Sequence, residues 1–292
     1  MTRRPTFTKR HLRLLRDACL KPVTGEEIDA VDPHLIAQVA PFIQWFCEKY
    51  YRLTVEGLES VPSGKALIVG NHNSGTSFYE AIGVGAHWYI HKGVGEIVHS
   101  LAHDAIMELP VVKNIMLRLG TLHASHQSAR EAFARGRKVQ VFPGGNLEAF
   151  RSYKHRDRIV FGNRKGFVRL AIREQVPIVP AVFVGGHEGF FIINDGQEVV
   201  KKLGLKKIPI LRSDTWPLML TFPWGLVWGP MAHIPLPTKC TTRFLEPITV
   251  DHYSPEDEFN PEALQDIYDQ VVNTMQAHLT KMSAERRFPI LG

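Results

Sequence analysis

Leu67-Ile68-Val69-Gly70-Asn71-His72-Asn73-Ser74-Gly75-Thr76-Ser77-Phe78-Tyr79-Glu80 is the segment on which the reading of this chain turns. The apolar run from Ala66 to Val69 reads as a buried strand that stops at Gly70 and delivers Asn71 and His72 into a short polar turn. A helix is expected to follow, with Ser74, Thr76 or Ser77 available as its N-cap. A histidine at the C-terminal end of a parallel strand lies where open α/β sheets bind their ligands. Imidazole, with an unperturbed pKa of about 6.5, can serve there as a general base near neutral pH. The plainer alternative is a turn histidine that bonds to the backbone.

Outward from this segment the chain alternates between the two periodicities. Strands are expected over residues 51–56, 66–69, 96–99, 139–142 and 177–184. Helices are expected over 78–91, over 104–119 around Pro110, over 125–135 closed by Gly136, and over 165–174. This rhythm predicts an α/β fold, a mainly parallel sheet flanked by helices, spanning residues 51–292. Residues 1–50 precede it as a basic, amphipathic helical segment. Its first helix, over 7–20, would gather Leu12, Leu15 and Cys19 on one side. A second, over 33–50, carries Leu35, Ile36, Val39, Phe42, Ile43 and Phe46 at helical spacing, with Pro41 bending or dividing it. A closing amphipathic helix over 261–286 reads as a cover for the core.

Charge is distributed unevenly. The net +6 sits entirely in residues 1–21, which hold seven bases and one acid, so the remainder carries 28 of each sign. A nucleic-acid binder would need a basic stripe across the fold itself, and none is evident. A basic helix at one end suits the surface of an anionic membrane, or is simply a solvated arm. No segment offers about 20 uninterrupted apolar residues, so peripheral attachment is the expected mode. Three cysteines without a C-x-x-C pair argue against a disulfide framework and fit a reducing compartment. Residues 217–237 are nearly uncharged, rich in Trp, Leu and Phe, and their five prolines exclude a helix. They read as an irregular wall on the core, or as a surface that lines an acyl pocket or dips into a bilayer.

Two further stretches bear on chemistry. Val141-Phe142-Pro143-Gly144-Gly145-Asn146-Leu147-Glu148-Ala149-Phe150 is another strand broken by small residues, with a carboxylate three positions beyond the glycines. Such glycines let a substrate approach the backbone and can expose N–H groups to an oxygen or phosphate. Asn163-Arg164-Lys165-Gly166-Phe167-Val168-Arg169 places cations at a helix start, where the dipole favours anions. They are solvated there or wait for an anionic ligand. His87 with His91 and His99 with His103 have i, i+4 spacing, but without H-E-x-x-H or a cysteine partner no metal site is expected.

Together, these stretches and Pro177-Ile178-Val179-Pro180 resemble the glycerolipid acyltransferases. Asn71-His72 is similar to the first block of that superfamily, N-H-x4-D, and Phe142-Pro143-Gly144-Gly145 to its F-P-E-G block. The P-G-G-x-x-E form followed by R-K-G-F-V-R resembles the monoacylglycerol and diacylglycerol acyltransferase branch. The sequence departs from the pattern twice. Ser77 stands where the family has aspartate, and Gly120-Thr121-Leu122-His123-Ala124-Ser125 lacks the arginine that contacts a substrate phosphate.

The resemblance implies an O-acyltransferase that moves a fatty acyl group from a thioester, of CoA or acyl carrier protein, to a hydroxyl of a lipid or glycerol-type acceptor. His72 would be the general base, with Glu80, the nearest downstream acid, in place of the aspartate. Asn71, Pro143, Gly144, Gly145, Glu148, Arg164, Lys165 and Arg169 would bind substrate, the glycine N–H groups holding the acceptor or the developing oxyanion. The implied reaction needs no metal and no cofactor beyond the thioester, and the implied location is peripheral, on the cytoplasmic side of a membrane. The alternative is a catalytically impaired lipid-binding or scaffold protein on the same fold.

Overall fold

The structure is a computed structural model that describes residues 5–73, 75, 79–102, 107–204, 214–288 and 290. The candidate caps Ser74, Thr76 and Ser77, together with His103 and the first residues of the helix expected from 104, lie outside the described residues. Seven strands form the main sheet: β1 (Thr54–Glu56), β2 (Leu67–Gly70), β3 (Val98–Ala102), β4 (Leu122–His123), β5 (Lys138–Val141), β6 (Ile178–Val184) and β10 (Thr241–Phe244). Their spatial order is β1-β10-β6-β2-β5-β3-β4, and every neighbouring pair is parallel except β10 with β6. β2 therefore lies at the centre, buried on both faces, as its unbroken apolar run requires.

The pleat sorts side chains between two cores. From β2, Leu67 and Val69 enter one and Ile68 the other; from β6, Ile178, Val182 and Val184 enter the first, and Val179, Ala181 and Phe183 the second. The first core is covered by α5 (His126–Ala134), α7 (Gly166–Glu174) and α9 (Pro261–Ala284). The α9 stripe of Ile267, Val271, Met275, Leu279 and Met282 is buried throughout, so this helix does cover the core. The second core lies under α2 (Pro33–Tyr50) and α3 (Tyr79–Lys92), to which α2 contributes Ile36 and Cys47. α2 runs as one helix through Pro41 rather than as two.

The N-terminal helix α1 (Lys9–Leu20) corrects the sequence reading of its faces. Leu14, Leu15 and Ala18 pack against Leu35 and Val39 of α2, while Leu12 is 58% exposed. Its last carbonyls are capped from α4 (Pro110–Arg118): Arg118 donates to the carbonyls of Ala18 and Lys21, and Asn114 to that of Cys19. A cation at a helix C-terminus complements the dipole.

Residues 217–237 also differ from an irregular wall. β7 (Phe191–Asn194), β8 (Leu218–Thr221) and β9 (Gly225–Trp228) make a separate antiparallel sheet, with register pairs Leu218↔Trp228 and Leu220↔Leu226. The prolines lie outside the strands, where no ladder donor is missing.

Candidate active site

β2 and β5 are parallel neighbours, so the turns that follow them leave the sheet at the same edge. Gly70 ends β2 because a Cβ there would come within 2.8 Å of the rings of both Phe142 and Phe183. Freed from the ladder, Asn71 copies strand pairing with its side chain: its amide donates to the Phe183 carbonyl (3.0 Å) and accepts from the Phe183 N–H (2.8 Å). Asn73 donates to the same carbonyl and accepts from the N–H groups of Gly186 and His187. These two buried amides stitch the turn to the end of β6 and aim His72 between them. A buried amide with all its bonds made holds a loop firmly.

His72 is 16% exposed, with its ring stacked on Phe142 (centroids 4.4 Å apart, planes at 17°). Its Nδ1 lies 3.0 Å from Oε1 of Glu80, which is fully buried in the first turn of α3. The Asn73 N–H donates to the same oxygen at 3.3 Å. A carboxylate there favours the tautomer with hydrogen on Nδ1, which leaves Nε2 to accept a proton. Glu80 thus reaches the ring from eight positions along the chain.

The P-G-G turn is packed against a buried carboxylate. Glu148 is fully buried and accepts from the His72 N–H and the Val160 N–H, each at 2.9 Å. Burial raises the Glu148 pKa, against the pull of Arg151 and these two backbone donors. Gly144 must be glycine because a Cβ would come within 2.4 Å of Cβ of Glu148 and 2.7 Å of the Val160 carbonyl. The Gly145 N–H donates to the Phe142 carbonyl (3.1 Å), so it closes the turn and is not free to hold an oxyanion. Arg164 donates to the carbonyls of Pro143 (3.1 Å) and Gly144 (2.8 Å) and pairs with Asp214 at 2.8 Å.

Of the residues read as substrate contacts, Asn71 and Glu148 bond to backbone groups, and Arg164 braces the turn. Arg169 lies away from the turn, bonded to Glu258 at 3.1 Å and stacked over Phe259 at 4.0 Å. Lys165 is half-buried at the N-cap of α7.

Asn73 carries weight that the sequence did not reveal. Arg151, read in the sequence only as part of the basic group from Arg151 to Arg169 that could position the acceptor head group or the carrier's phosphates, bonds to four backbone carbonyls. Arg151 is buried and donates to the carbonyls of His72, Glu148, His155 and Arg156. Burial pulls its pKa below the ordinary guanidinium range, opposed by Glu148. No local pattern distinguishes it from Arg156 and Arg158, which are more exposed. Asn73 could have been found from its i, i+2 relation to Asn71.

Of the two histidine pairs, His87, His91 and His99 lie among the described residues. His87 donates from Nδ1 to the Gly83 carbonyl (3.0 Å), and its Nε2 faces Glu48 at 3.5 Å. Burial lowers its pKa. His99 lies on β3 rather than on a helix. Among the described residues no group of three His, Cys, Asp or Glu stands together as a metal site, and no helix is long and apolar enough to cross a membrane.

An open cleft lies between α2 and α3, with apolar walls that include Ile36, Val39, Ile43, Ile82 and Tyr89. Its lining includes Ala81, which follows Glu80 in α3.

Comparison with known proteins agrees with this geometry. Residues 52–184 match the Acyltransferase family. An uncharacterised protein of Mycobacterium tuberculosis is 31% identical over 263 residues, 89% of this chain and 70% of its own length. A mouse protein described as a DGAT1/2-independent enzyme synthesizing storage lipids is 31% identical over 137 residues, 47% of this chain and 40% of its own. The crystal structure of the 1-acyl-sn-glycerophosphate acyltransferase PlsC from Thermotoga maritima superposes with a TM-score of 0.53 at 16% identity, over 94% of this chain and 89% of that one. With the strand-end histidine, its buried carboxylate and the glycine turn in one sheet edge, the chain belongs to the glycerolipid acyltransferase superfamily.

Proposed function

We propose that the protein transfers a fatty acyl group from a thioester of CoA or acyl carrier protein to the hydroxyl of a neutral glycerol-type lipid. The observation that carries this reading is the 3.0 Å contact of His72 Nδ1 with the buried Glu80 carboxylate, which supplies the partner that Ser77 does not. Nε2 of His72 takes the acceptor hydroxyl's proton as that oxygen attacks the thioester carbonyl. The C–O bond forms, the C–S bond breaks, and the imidazolium returns its proton to the departing sulfur. Glu80 holds the ring and stabilises its positive charge between those two steps. Phe142 fixes the plane of the ring from one side. The apolar cleft between α2 and α3, whose lining includes Ala81, takes the acyl chain.

Two observations favour an uncharged acceptor. The segment from Gly120 to Ser125 aims no arginine at the site, and its His123 is bonded to Glu27 at 2.7 Å. The resemblance to an enzyme described as synthesizing storage lipids points the same way. A lipid acceptor places the protein at a membrane surface as a peripheral protein, on the cytoplasmic side. The Glu80 contact favours this reading over an inactive lipid-binding protein.

Purified protein incubated with labelled acyl-CoA or acyl-(acyl carrier protein) and, separately, monoacylglycerol, diacylglycerol and lysophosphatidate tests it. Labelled product from the neutral acceptors, lost in His72→Ala, is the expected result. Transfer to lysophosphatidate alone overturns the acceptor assignment; no transfer to any of them from either carrier overturns the enzyme.

A further inference from the structure

The antiparallel sheet of β7, β8 and β9 is built the wrong way round for a surface in water. Its inward positions, Ile192, Met219 and Val227, are buried, the first two in a small core with Ala149, Phe150 and Phe190. The alternate positions, which ordinarily carry polar side chains, are apolar as well. Leu220 is 50% exposed, Leu226 64% and Trp228 61%, and the connection between the strands adds Phe222 at 58% and Trp224 at 60%. Met231 and Ile234 extend the same exposed apolar surface. Contiguous apolar patches of several hundred Å² are uncommon on soluble proteins and mark interaction surfaces.

The chemistry of the patch selects its occupant. Residues 215–236 contain no Asp, Glu, Lys or Arg. The stretch before them is basic: Lys201 and Lys202 are exposed on α8 (Gln197–Leu203), and Lys206, Lys207 and Arg212 follow in the sequence with no acid before Asp214. An uncharged aromatic surface that follows a run of cations in the sequence complements an anionic bilayer, whose headgroups attract cations while Trp and Phe enter the interface. The exposed Trp224 keeps its indole N–H bonded to the Ala232 carbonyl (2.8 Å), so the ring can enter an apolar medium with that donor satisfied.

The patch is also continuous with the catalytic loop. The Phe190 ring occupies the space a Cβ on Gly75 would need and packs against His233 at 4.5 Å, and Arg164 ties the P-G-G turn to Asp214 at the foot of β8. We propose that the outer face of β8 and β9, with Phe222 and Trp224 at its tip, is the surface on which the protein lies against an anionic lipid bilayer, seating the His72 site at the lipid–water boundary. This rests on the lipid acceptor proposed above and moves the main membrane contact from the basic α1 to a β-hairpin 200 residues further along.

The test measures co-flotation with phosphatidylcholine vesicles containing or lacking phosphatidylglycerol, together with quenching of tryptophan fluorescence by brominated acyl chains. Wild type is expected to bind the anionic vesicles with quenching. Phe222→Ser/Trp224→Ser is expected to weaken binding at least tenfold, and Arg10→Glu/Arg13→Glu on α1 no more than threefold. Leu220→Thr/Leu226→Thr, which keeps strand-forming side chains, provides a second variant if the tip substitutions misfold. Unchanged binding in folded hairpin variants, or a larger loss in the α1 variant, overturns the proposal. So does a wild type that ignores vesicles but self-associates through this face. Transfer between short-chain, water-soluble substrates separates the two claims: retention in hairpin variants that no longer bind vesicles supports the docking surface. Absence of transfer in wild type alongside hairpin-dependent vesicle binding refutes the acyltransfer reading and leaves the surface standing.

Discussion

His72 and His99 are both held at Nδ1, and the partner makes the difference. His72, beyond the end of β2, faces the Glu80 carboxylate at 3.0 Å. His99, within β3 and fully buried, donates from Nδ1 to the Gly120 carbonyl at 2.9 Å, and its Nε2 accepts from Arg137 at 3.2 Å. A carboxylate stabilises a ring that gains a proton, whereas burial beside a guanidinium forbids one, and burial first, then Arg137, lowers the His99 pKa to about 4. Neighbours, not residue type, separate a base from a strut.

The most severe way to break this comparison is His72→Ala. Acyl transfer is expected to fall by roughly 10²–10⁴-fold, the range for loss of a general base, with the far-ultraviolet circular dichroism retained. Full activity in that variant removes the mechanism.

The contrasting strut is read by pH. The folded-state pKa of His99 lies below that of the unfolded chain, so its contribution to stability is complete above about pH 6.5 and is lost as pH falls through about 4. At 1.36 kcal/mol per unit, the loss amounts to about 3 kcal/mol. Denaturant melts between pH 7 and 4 should show it, and His99→Gln should flatten the slope. Equal slopes in the two proteins would show that His99 titrates normally.

A smaller effect is expected from the second buried carboxylate beside His72. Glu148→Gln turns an NH₂ toward one of two backbone N–H groups, leaving a buried donor unpaired at a cost of about 2 kcal/mol. Chemical denaturation measures that loss. The comparison sharpens if activity per folded molecule is largely kept, and breaks if stability is untouched while catalysis collapses.

Glu80→Gln is the mildest change. Gln keeps an acceptor for Nδ1 but loses the charge that stabilises imidazolium, and transfer should slow at least tenfold, about 1.4 kcal/mol in the barrier. Initial rates over a range of pH decide it; wild-type rates throughout would remove Glu80 from the reaction.

Much of this molecule was legible before any coordinates. The buried run of β2, the amphipathic stripe of α9 and the helix start at Ser125, whose side chain accepts from the Ser128 N–H, follow from patterns a few residues long. Short-range periodicity expresses which face is buried, and that is enough to order strands and helices into a mainly parallel α/β fold. The hairpin of β8 and β9 escaped because neither of its faces is polar, so alternation, the usual signal of a half-buried strand, is missing.

The sequence by itself determined the sheet, the strand-end position of His72 and the glycine turn beside it. Only the tertiary structure decided what each polar group does. Glu148 meets the His72 N–H from 76 positions away, and Arg151 reaches the His72 carbonyl from 79. Asn71 spends its amide on Phe183, 112 positions distant. A buried donor or acceptor must find a partner wherever the fold brings one. Such pairings depend on how the whole chain closes, and no local pattern records them.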